Sequence, residues 1–297
     1  MTMDKNFPLV TIGIPFLNPG EAFREAIRSV FAQSYSNWEL ILVNDGSKDN
    51  SLELAKRICD PRVRILSDGK KLGLAARLNQ ITNMARGQYI ARMDADDIMF
   101  PDRIARQVAF LLTNPDVDVV GTGVFFLDID GRPVGLRYMD KNVPKSLHES
   151  FRRPWLVHGT VMAKREWFVN NPYDSAFLRG EERELFLRAF NNTRFGFISE
   201  PLYGWRFVGA HSLDKYLKNF KYERRSLLKH GPKLLGWPET LARLLWSLSK
   251  SLIAVGLFAT GAQGVVYQRA YKPISISMEK EFEKIINRIQ QQSVPGW

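Results

Sequence analysis

"GQYIARMDADDIMFPDR", Gly87–Arg103, sets Asp94, Asp96 and Asp97 at the end of an apolar run. The segment "QYIARMD" reads as a strand ending at the first of these acids, and Pro101 fits a helix start ahead of "RIARQVAFLL". The loop between strand and helix therefore carries concentrated negative charge. Like charges this close repel, so a divalent cation, backbone amides at a helix start, or solvent must offset them. Taken alone, Asp-Ala-Asp is most simply a solvated loop in which Asp96 or Asp97 caps the following helix.

The flanking sequence repeats the same strand–loop–helix rhythm. "LVTIGIPF" reads as a buried strand, and "EAFREAIRSVFAQ" spaces Phe23, Ile27, Val30 and Phe31 as one helical face. "WELILVND" is a second strand closed by Gly46, "NSLELAKRIC" a helix, and "RVRIL" a third strand. "GLAARLNQITNMARG" is a helix stopped at Gly87, and "VDVVG" follows the acidic loop and its helix as a fifth strand. Alternation of this kind predicts an α/β fold with a doubly wound, mostly parallel sheet. Ligands of such sheets bind beyond the carboxyl ends of the strands. Asp45 and the Asp94–Asp97 cluster both lie at such ends.

After Gly121 the rhythm changes. "VFFLDIDGRPVGLRY" reads as a hairpin around Asp130-Gly131. "HGTVMAKREWFV", "ERELFLRAF" and "RFGFISEPLYGWRF" predict mixed α+β structure added to the same sheet. From about His211 the chain reads as helical and basic. The expected organisation is thus 1–121, 122–210 as a second half of the same domain, and 211–297 as a helical extension.

Composition bounds the partners. The chain has 297 residues, an apolar fraction of 45% and a charged fraction of 25%, the balance of a globular protein. Its single cysteine, Cys59, excludes an intrachain disulfide and suits a reducing compartment. The N-terminal "MTMDKNFPLV" has no apolar signal region, so a cytoplasmic location is expected. A formal charge of +11 implies a polyanionic neighbour: nucleic acid, anionic lipid or a phosphorylated substrate. No G-x-G-x-x-G or G-x-x-x-x-G-K-[ST] loop is present to hold phosphate. A carboxylate-bound Mg²⁺ or Mn²⁺ bridging to a diphosphate supplies the missing neutralisation.

In order, "TIGIPFLN", "SVFAQSYSNWELILVNDGSKDNS", "GLAARLNQ" and "ARGQYIARMDADDIMFPDRIARQ" closely resemble the family 2 glycosyltransferases of the GT-A fold. The match runs from about Pro8 to Gly121 and continues more loosely through "VHGTVMAKREWF" and "GEERELFLRAF". The resemblance implies an inverting enzyme of bacterial surface-polysaccharide type, a nucleoside-diphosphate-sugar donor and a saccharide or lipid-linked acceptor. It implies that Asp45 recognises the nucleobase, Asp94 lies against the ribose and Asp96 binds the metal. Pro15, Asn18, Lys71, Arg77 and Ala95 are expected on the donor side, His158 and Asp97 on the acceptor side, and His211 near the metal or diphosphate. The family's usual Glu-Asp pair is here Glu181-Glu182, which makes Glu182 the expected base and Glu181 its reserve. Asp45 at the end of "LILVND" can accept from N3–H of uracil or thymine, so a UDP-sugar is the expected donor.

Other readings stay open at this level. A sugar nucleotidyltransferase also uses paired Asp and metal on an α/β sheet, and a non-catalytic nucleotide-sugar binder would need the same pocket. "DKYLKNFKYERRSLLKH" interleaves cations and aromatics, yet no nucleic-acid motif accompanies it, so no nucleic-acid partner is expected. "TLARLLWSLSK" sets Leu241, Leu244, Leu245 and Leu248 on one helical face ahead of the uncharged "SLIAVGLFATGAQGVVYQ". Either these helices pack on the catalytic domain, or they dock peripherally on an anionic membrane; spanning is the weaker reading.

Overall fold

The computed structural model describes residues 7–138, 144, 146–151, 155–207, 212–262 and 272–297. Strand β1 (Val10–Phe16) pairs in parallel with β2 (Trp38–Asn44) and β4 (Tyr89–Arg92), and β2 with β3 (Val63–Ser67). β1, β2 and β4 are buried along their whole length, because helices cover both faces of this part of the sheet. On one face, Val10, Ile12 and Ile14 meet Phe23, Ile27 and Val30 of helix α1 (Ala22–Phe31). On the other, Ile41 and Val43 pack with Leu78 and Ile81 of α3 (Leu74–Met84). Gly13 permits that approach, since a Cβ there would lie 2.5 Å from Ile81 Cγ2. Helix α2 (Ser51–Lys56) connects β2 to β3.

Beyond β4 the sheet becomes mixed, in the order β3-β2-β1-β4-β8-β6-β9-β5. β8 (Met162–Lys164) runs antiparallel to both β4 and β6 (Val119–Leu127), while β9 (Phe195–Arg206) is parallel to β6. The expected fifth strand and the first arm of the expected hairpin are one continuous strand, β6, because Gly121 and Gly123 carry the strand onward instead of breaking it. A Cβ at Gly121 would lie 2.2 Å from Leu156, and one at Gly123 2.6 Å from Ser199 O, so both positions are crowded by neighbours. β7 (Pro133–Arg137) returns along β6, with the turn at Asp128–Arg132, as the Asp130-Gly131 pair predicts. A two-residue strand, β5 (Ile98–Met99), follows the acidic loop and pairs with β9. Helix α4 (Arg103–Thr113) starts after Asp102, so neither Asp96 nor Asp97 is its cap.

Short helices α5 (Leu147–Ser150) and α6 (Arg165–Asn170) precede α7 (Glu181–Ala189). The long helices α8 (Leu213–Leu235) and α9 (Trp237–Ala259) fold back on each other at Gly236, whose φ of +79° a residue with a side chain rarely adopts. The expected single face of leucines on α9 is split: Leu244 turns inward, whereas Leu241, Leu245 and Leu248 are exposed. The chain then returns to its beginning. Helix α10 (Ile276–Gln290) sets Phe282 against both Phe100 and Phe125, which stack on each other. Downstream, Cys59 N–H donates to Pro295 O at 2.8 Å, and Trp297 Nε1 donates to Leu54 O at 3.1 Å.

Candidate active site

The three acids after β4 meet three different fates. Arg92, the last residue of the strand, is buried and holds Asp94 in a two-pronged ion pair, Nη1 to Oδ2 at 2.6 Å and Nη2 to Oδ1. Asp97 is turned inward at 1% exposure, accepting from Tyr203 Oη at 2.8 Å and from Arg206 N–H at 2.8 Å. Burial, then the charges of Asp94 and Asp96, push its carboxyl well above the ordinary range. Asp97 is therefore not on the acceptor side: it anchors the loop to β9. Ala95 packs its methyl into the core. Asp96 remains. Its carboxylate is exposed, has no partner among the described residues, and is pushed upward by desolvation and then by Asp94.

Tyr203 Oη also accepts from Asp94 N–H at 3.1 Å, so one buried phenol fixes two of the acids. A Cβ at Gly159 would lie 2.5 Å from that oxygen. Gly159→Ala is expected to cost about 1–3 kcal/mol through overpacking and to weaken divalent-cation binding by loosening the loop. Thermal melts with and without Mn²⁺ check this; an unchanged melting temperature and an unchanged Mn²⁺ response would show that Tyr203 does not hold the loop.

On the nucleotide side, Pro15 is buried in β1 opposite Val43 of β2. Asn18 adopts a left-handed φ of 50° and ties two loops together, its Oδ1 accepting from Lys48 N–H at 2.7 Å while its own N–H donates to Ser47 Oγ at 3.1 Å. Asp45 Oδ1 accepts from Leu72 N–H at 2.7 Å, Gly73 N–H at 3.1 Å and Arg77 Nε at 2.9 Å. Arg77 was expected to reach the base or phosphates. It is fully buried instead, donating to both oxygens of Asp68 at 2.8 and 2.9 Å, to Gln80 Oε1 at 2.8 Å and to Lys70 O, because these and Asp45 Oδ1 already satisfy its guanidinium. Lys71 is exposed beside this clip.

The second acidic pair opens α7. Gly180 precedes it at φ 65°, a left-handed conformation that glycine enters without strain. Glu181 is buried, with Oε1 3.8 Å from His158 Nδ1; His158 Nε2 meets Tyr173 Oη at 2.7 Å. Glu182 lines a cavity of about 220 Å³ with Trp155 and Tyr222. Burial, then the charge of Glu182, push the Glu181 carboxyl up to about 8, and burial raises Glu182 as well. Burial and the nearby Arg92 hold His158 well below its usual range, so its ring is neutral. The ligating atoms of His158, Glu181 and Glu182 lie within 4.8 Å of one another. His211 lies outside the described residues.

Sequence reasoning passed over Arg92, Tyr203 and Glu184. Glu184 is fully buried and joins α7 to α8 through His230 at 2.7 Å. The signal for Arg92 was present, because a charge inside an apolar strand needs a buried partner.

A mixed sheet with an exposed carboxylate beyond a strand end and an acidic pair at a helix start is the arrangement of a GT-A type glycosyltransferase. The profile of "Glycosyl transferase family 2" matches residues 11–188, and the chain belongs to that family. It is 36% identical over 203 residues to EpsE of Bacillus subtilis (strain 168), itself assigned as a glycosyltransferase, covering 66% of this chain and 72% of EpsE. Among solved structures, the mannosyltransferase PcManGT of Pyrobaculum calidifontis with GDP-Man and Mn²⁺ superposes with a TM-score of 0.61 at 16% identity, over 96% of this chain and 86% of that one. Staphylococcus aureus TarS 1–349 with UDP gives 0.57 at 14% identity, over 95% and 80%. Both share the fold. Family membership sets aside the nucleotidyltransferase reading.

Proposed function

We propose that the chain is a divalent-metal-dependent, inverting glycosyltransferase that moves a sugar from a UDP-sugar to a saccharide acceptor in polysaccharide or glycoconjugate assembly. The observation that carries this is the uncompensated Asp96 carboxylate, exposed beside the Arg92-clamped Asp94. Hard divalent cations take oxygen ligands of this kind, so the residues fit Mn²⁺ or Mg²⁺. When bound, such an ion supplies Lewis-acid stabilisation of the charge that develops on a departing diphosphate. Asp94 orients the donor's ribose while Arg92 holds it in place. Glu182 takes the proton of the acceptor hydroxyl as its oxygen bonds to the anomeric carbon and the nucleoside diphosphate departs, in one displacement. A panel of nucleotide sugars with Mn²⁺, followed by thermal shift and by donor hydrolysis, tests the reading; no shift and no nucleoside diphosphate release with any donor would overturn it.

Asp45 supports uracil as the base. Among the described hydrogen bonds its Oδ2 accepts only Gly73 N–H, at 3.1 Å, which leaves a lone pair for N3–H of a pyrimidine. UDP-sugars are expected to raise the melting temperature more than dTDP-sugars, and GDP-sugars least. Protection by GDP-sugars alone would reassign the base pocket.

The same reading includes peripheral contact with anionic membrane on the cytoplasmic side. α9 is 23 residues long and apolar enough by composition to cross a bilayer, with a mean hydropathy of 1.4. It nevertheless buries Thr240 and Ser247 against α8 and carries Arg243 and Lys250, which suits lying in the interface. Leu245 and Leu252 are 65% and 75% exposed on its outer side. Flotation is expected with phosphatidylglycerol vesicles over neutral ones, weakening as salt shortens the Debye length to about 8 Å near physiological strength. Failure to float with either lipid would remove the membrane from the proposal.

A further inference from the structure

The Glu181 side chain is 6% exposed, and among the described residues its carboxylate makes no hydrogen bond to another residue. A buried carboxylate in that condition takes up a proton or serves a metal ion. The polar atom it faces is His158 Nδ1, 3.8 Å from Oε1. That gap is too long for a hydrogen bond. Two ligands at about 2.0–2.1 Å from a tetrahedral Zn²⁺ lie roughly 3.3 Å apart, so a small closure places an ion between them. Glu182 completes the group, since the ligating atoms of the three side chains lie within 4.8 Å of one another.

The histidine is prepared as a ligand. Its side chain is 9% exposed, and its Nε2 is engaged by Tyr173 Oη at 2.7 Å, which leaves Nδ1 toward the acids. The tautomer that donates from Nε2 to the phenol keeps the lone pair on Nδ1. Metal-bound imidazoles hold their second nitrogen in a hydrogen bond of this kind. The nearby charge of Arg92 is already balanced by Asp94. The start of α7 alone would accommodate two acids without any cation; the imidazole and the unpartnered Glu181 are what point to one. Glu182 also lines the cavity of about 220 Å³, which gives an ion a route in and a water for its fourth position.

We infer that His158, Glu181 and Glu182 form a second cation site, separate from Asp96, that takes an imidazole-seeking divalent ion, Zn²⁺ foremost, and silences the enzyme when filled. The separation is chemical. Asp94 and Asp96 offer carboxylate oxygens, which suit Mg²⁺ and Mn²⁺, whereas a ring nitrogen beside two carboxylates suits Zn²⁺. An ion bound there occupies the oxygens of Glu182, which can then no longer take the proton of an acceptor hydroxyl. The silencing rests on the reading of Glu182 as base; the site itself does not.

The test uses the full chain carrying Asp96→Asn, so that the first cation site is removed, with Co²⁺ as a coloured substitute for Zn²⁺. Strong visible absorption of a four-coordinate ion is expected, which Zn²⁺ should bleach and Mg²⁺ should not. His158→Gln should remove the bands. Tyr173→Phe keeps the ring and drops the hydroxyl, so it should weaken Zn²⁺ binding by ~10–100-fold, and it decides the matter if the histidine variant does not fold. In the chain with Asp96 intact, Zn²⁺ should stop release of nucleoside diphosphate from a UDP-sugar in the presence of Mn²⁺. Tyr173→Phe should then need ~10–100-fold more Zn²⁺, and extra Mn²⁺ should not restore the rate. Absence of the bands, or bands that survive His158→Gln or Tyr173→Phe at unchanged affinity, overturns the site. Recovery with extra Mn²⁺ overturns the silencing and places the inhibiting ion at Asp96. Zn²⁺ held by His158 without loss of transfer also overturns it and rejects Glu182 as the base. No turnover in the unaltered chain before Zn²⁺ is added rejects the glycosyltransferase reading, while the absorption bands still decide the site.

Discussion

Asp96→Asn is expected to abolish metal-dependent sugar transfer and leave the fold intact. Asn keeps the shape and one oxygen of Asp but removes the charge a hard cation needs. Lewis-acid stabilisation is worth several kcal/mol, and each ~1.4 kcal/mol is a factor of ten in rate, so a loss of at least ~10³-fold follows. The fold should tolerate the change because no described residue depends on this carboxylate. Its pKa is raised in the native protein by desolvation and by Asp94. A raised native pKa means that stability is present below the unfolded value and is lost as pH rises through the native one. Removing the charge should therefore leave the melting temperature at neutral pH equal or higher. Asp94 is a poorer probe, since its loss strands the buried Arg92. Initial rates across a Mn²⁺ titration, with EDTA as control, decide the matter: full activity in EDTA, or an active Asp96→Asn variant, sinks the metal site.

Glu182→Gln should lower kcat by ~10²–10⁴-fold, the usual contribution of a positioned base, with donor affinity nearly unchanged. Their surroundings separate the two acids, although their oxygens lie within 4.8 Å of each other. Glu181 is sealed at 5% exposure against His158, whereas Glu182 reaches the cavity beside Trp155. Burial pushes both carboxyls up, and the charge of Glu182 raises Glu181 to about 8, so the two acids titrate as a pair. Glu181 does not line the cavity, so Glu181→Gln should lower the rate much less. It has a separate signature in stability. A native pKa near 8 against the ordinary 4.5 makes the folded chain the stronger proton binder, so stability should fall as pH rises through that window. Glu181→Gln should flatten the fall. If Glu181→Gln proves the slower enzyme, the roles of the two acids are exchanged.

The parallel half of the fold was legible because buried strands and amphipathic helices leave different periods in sequence, and their alternation dictates a wound sheet. The acidic loop was legible for the same reason: it stands where a strand stops. What could not be read is which side chains turn inward. Arg77 and Asp97 look like ligand contacts when only their spacing is known, and partners far along the chain, Asp45 for one and Tyr203 for the other, draw them inside. The merging of "VDVVG" with "VFFL" into one strand was equally hidden, since Gly121 and Gly123 resemble breakers until their close neighbours Leu156 and Ser199 are placed. Long-range partners decide these cases, and local pattern carries no record of them.

The return of α10 and of Val294–Trp297 to the first half of the sheet has a consequence for synthesis. A growing chain forms its amino-terminal units first, but here Leu54, Cys59, Phe100 and Phe125 wait for partners supplied by residues 282–297. Gly296 sits so close to Arg57 that a Cβ would lie 1.9 Å from its carbonyl oxygen, which leaves no room for a substitute residue. The helices that carry the exposed leucines therefore leave the ribosome before the nucleotide-binding half can close. Assembly order in this protein places the α8–α9 hairpin ahead of a finished nucleotide-binding half.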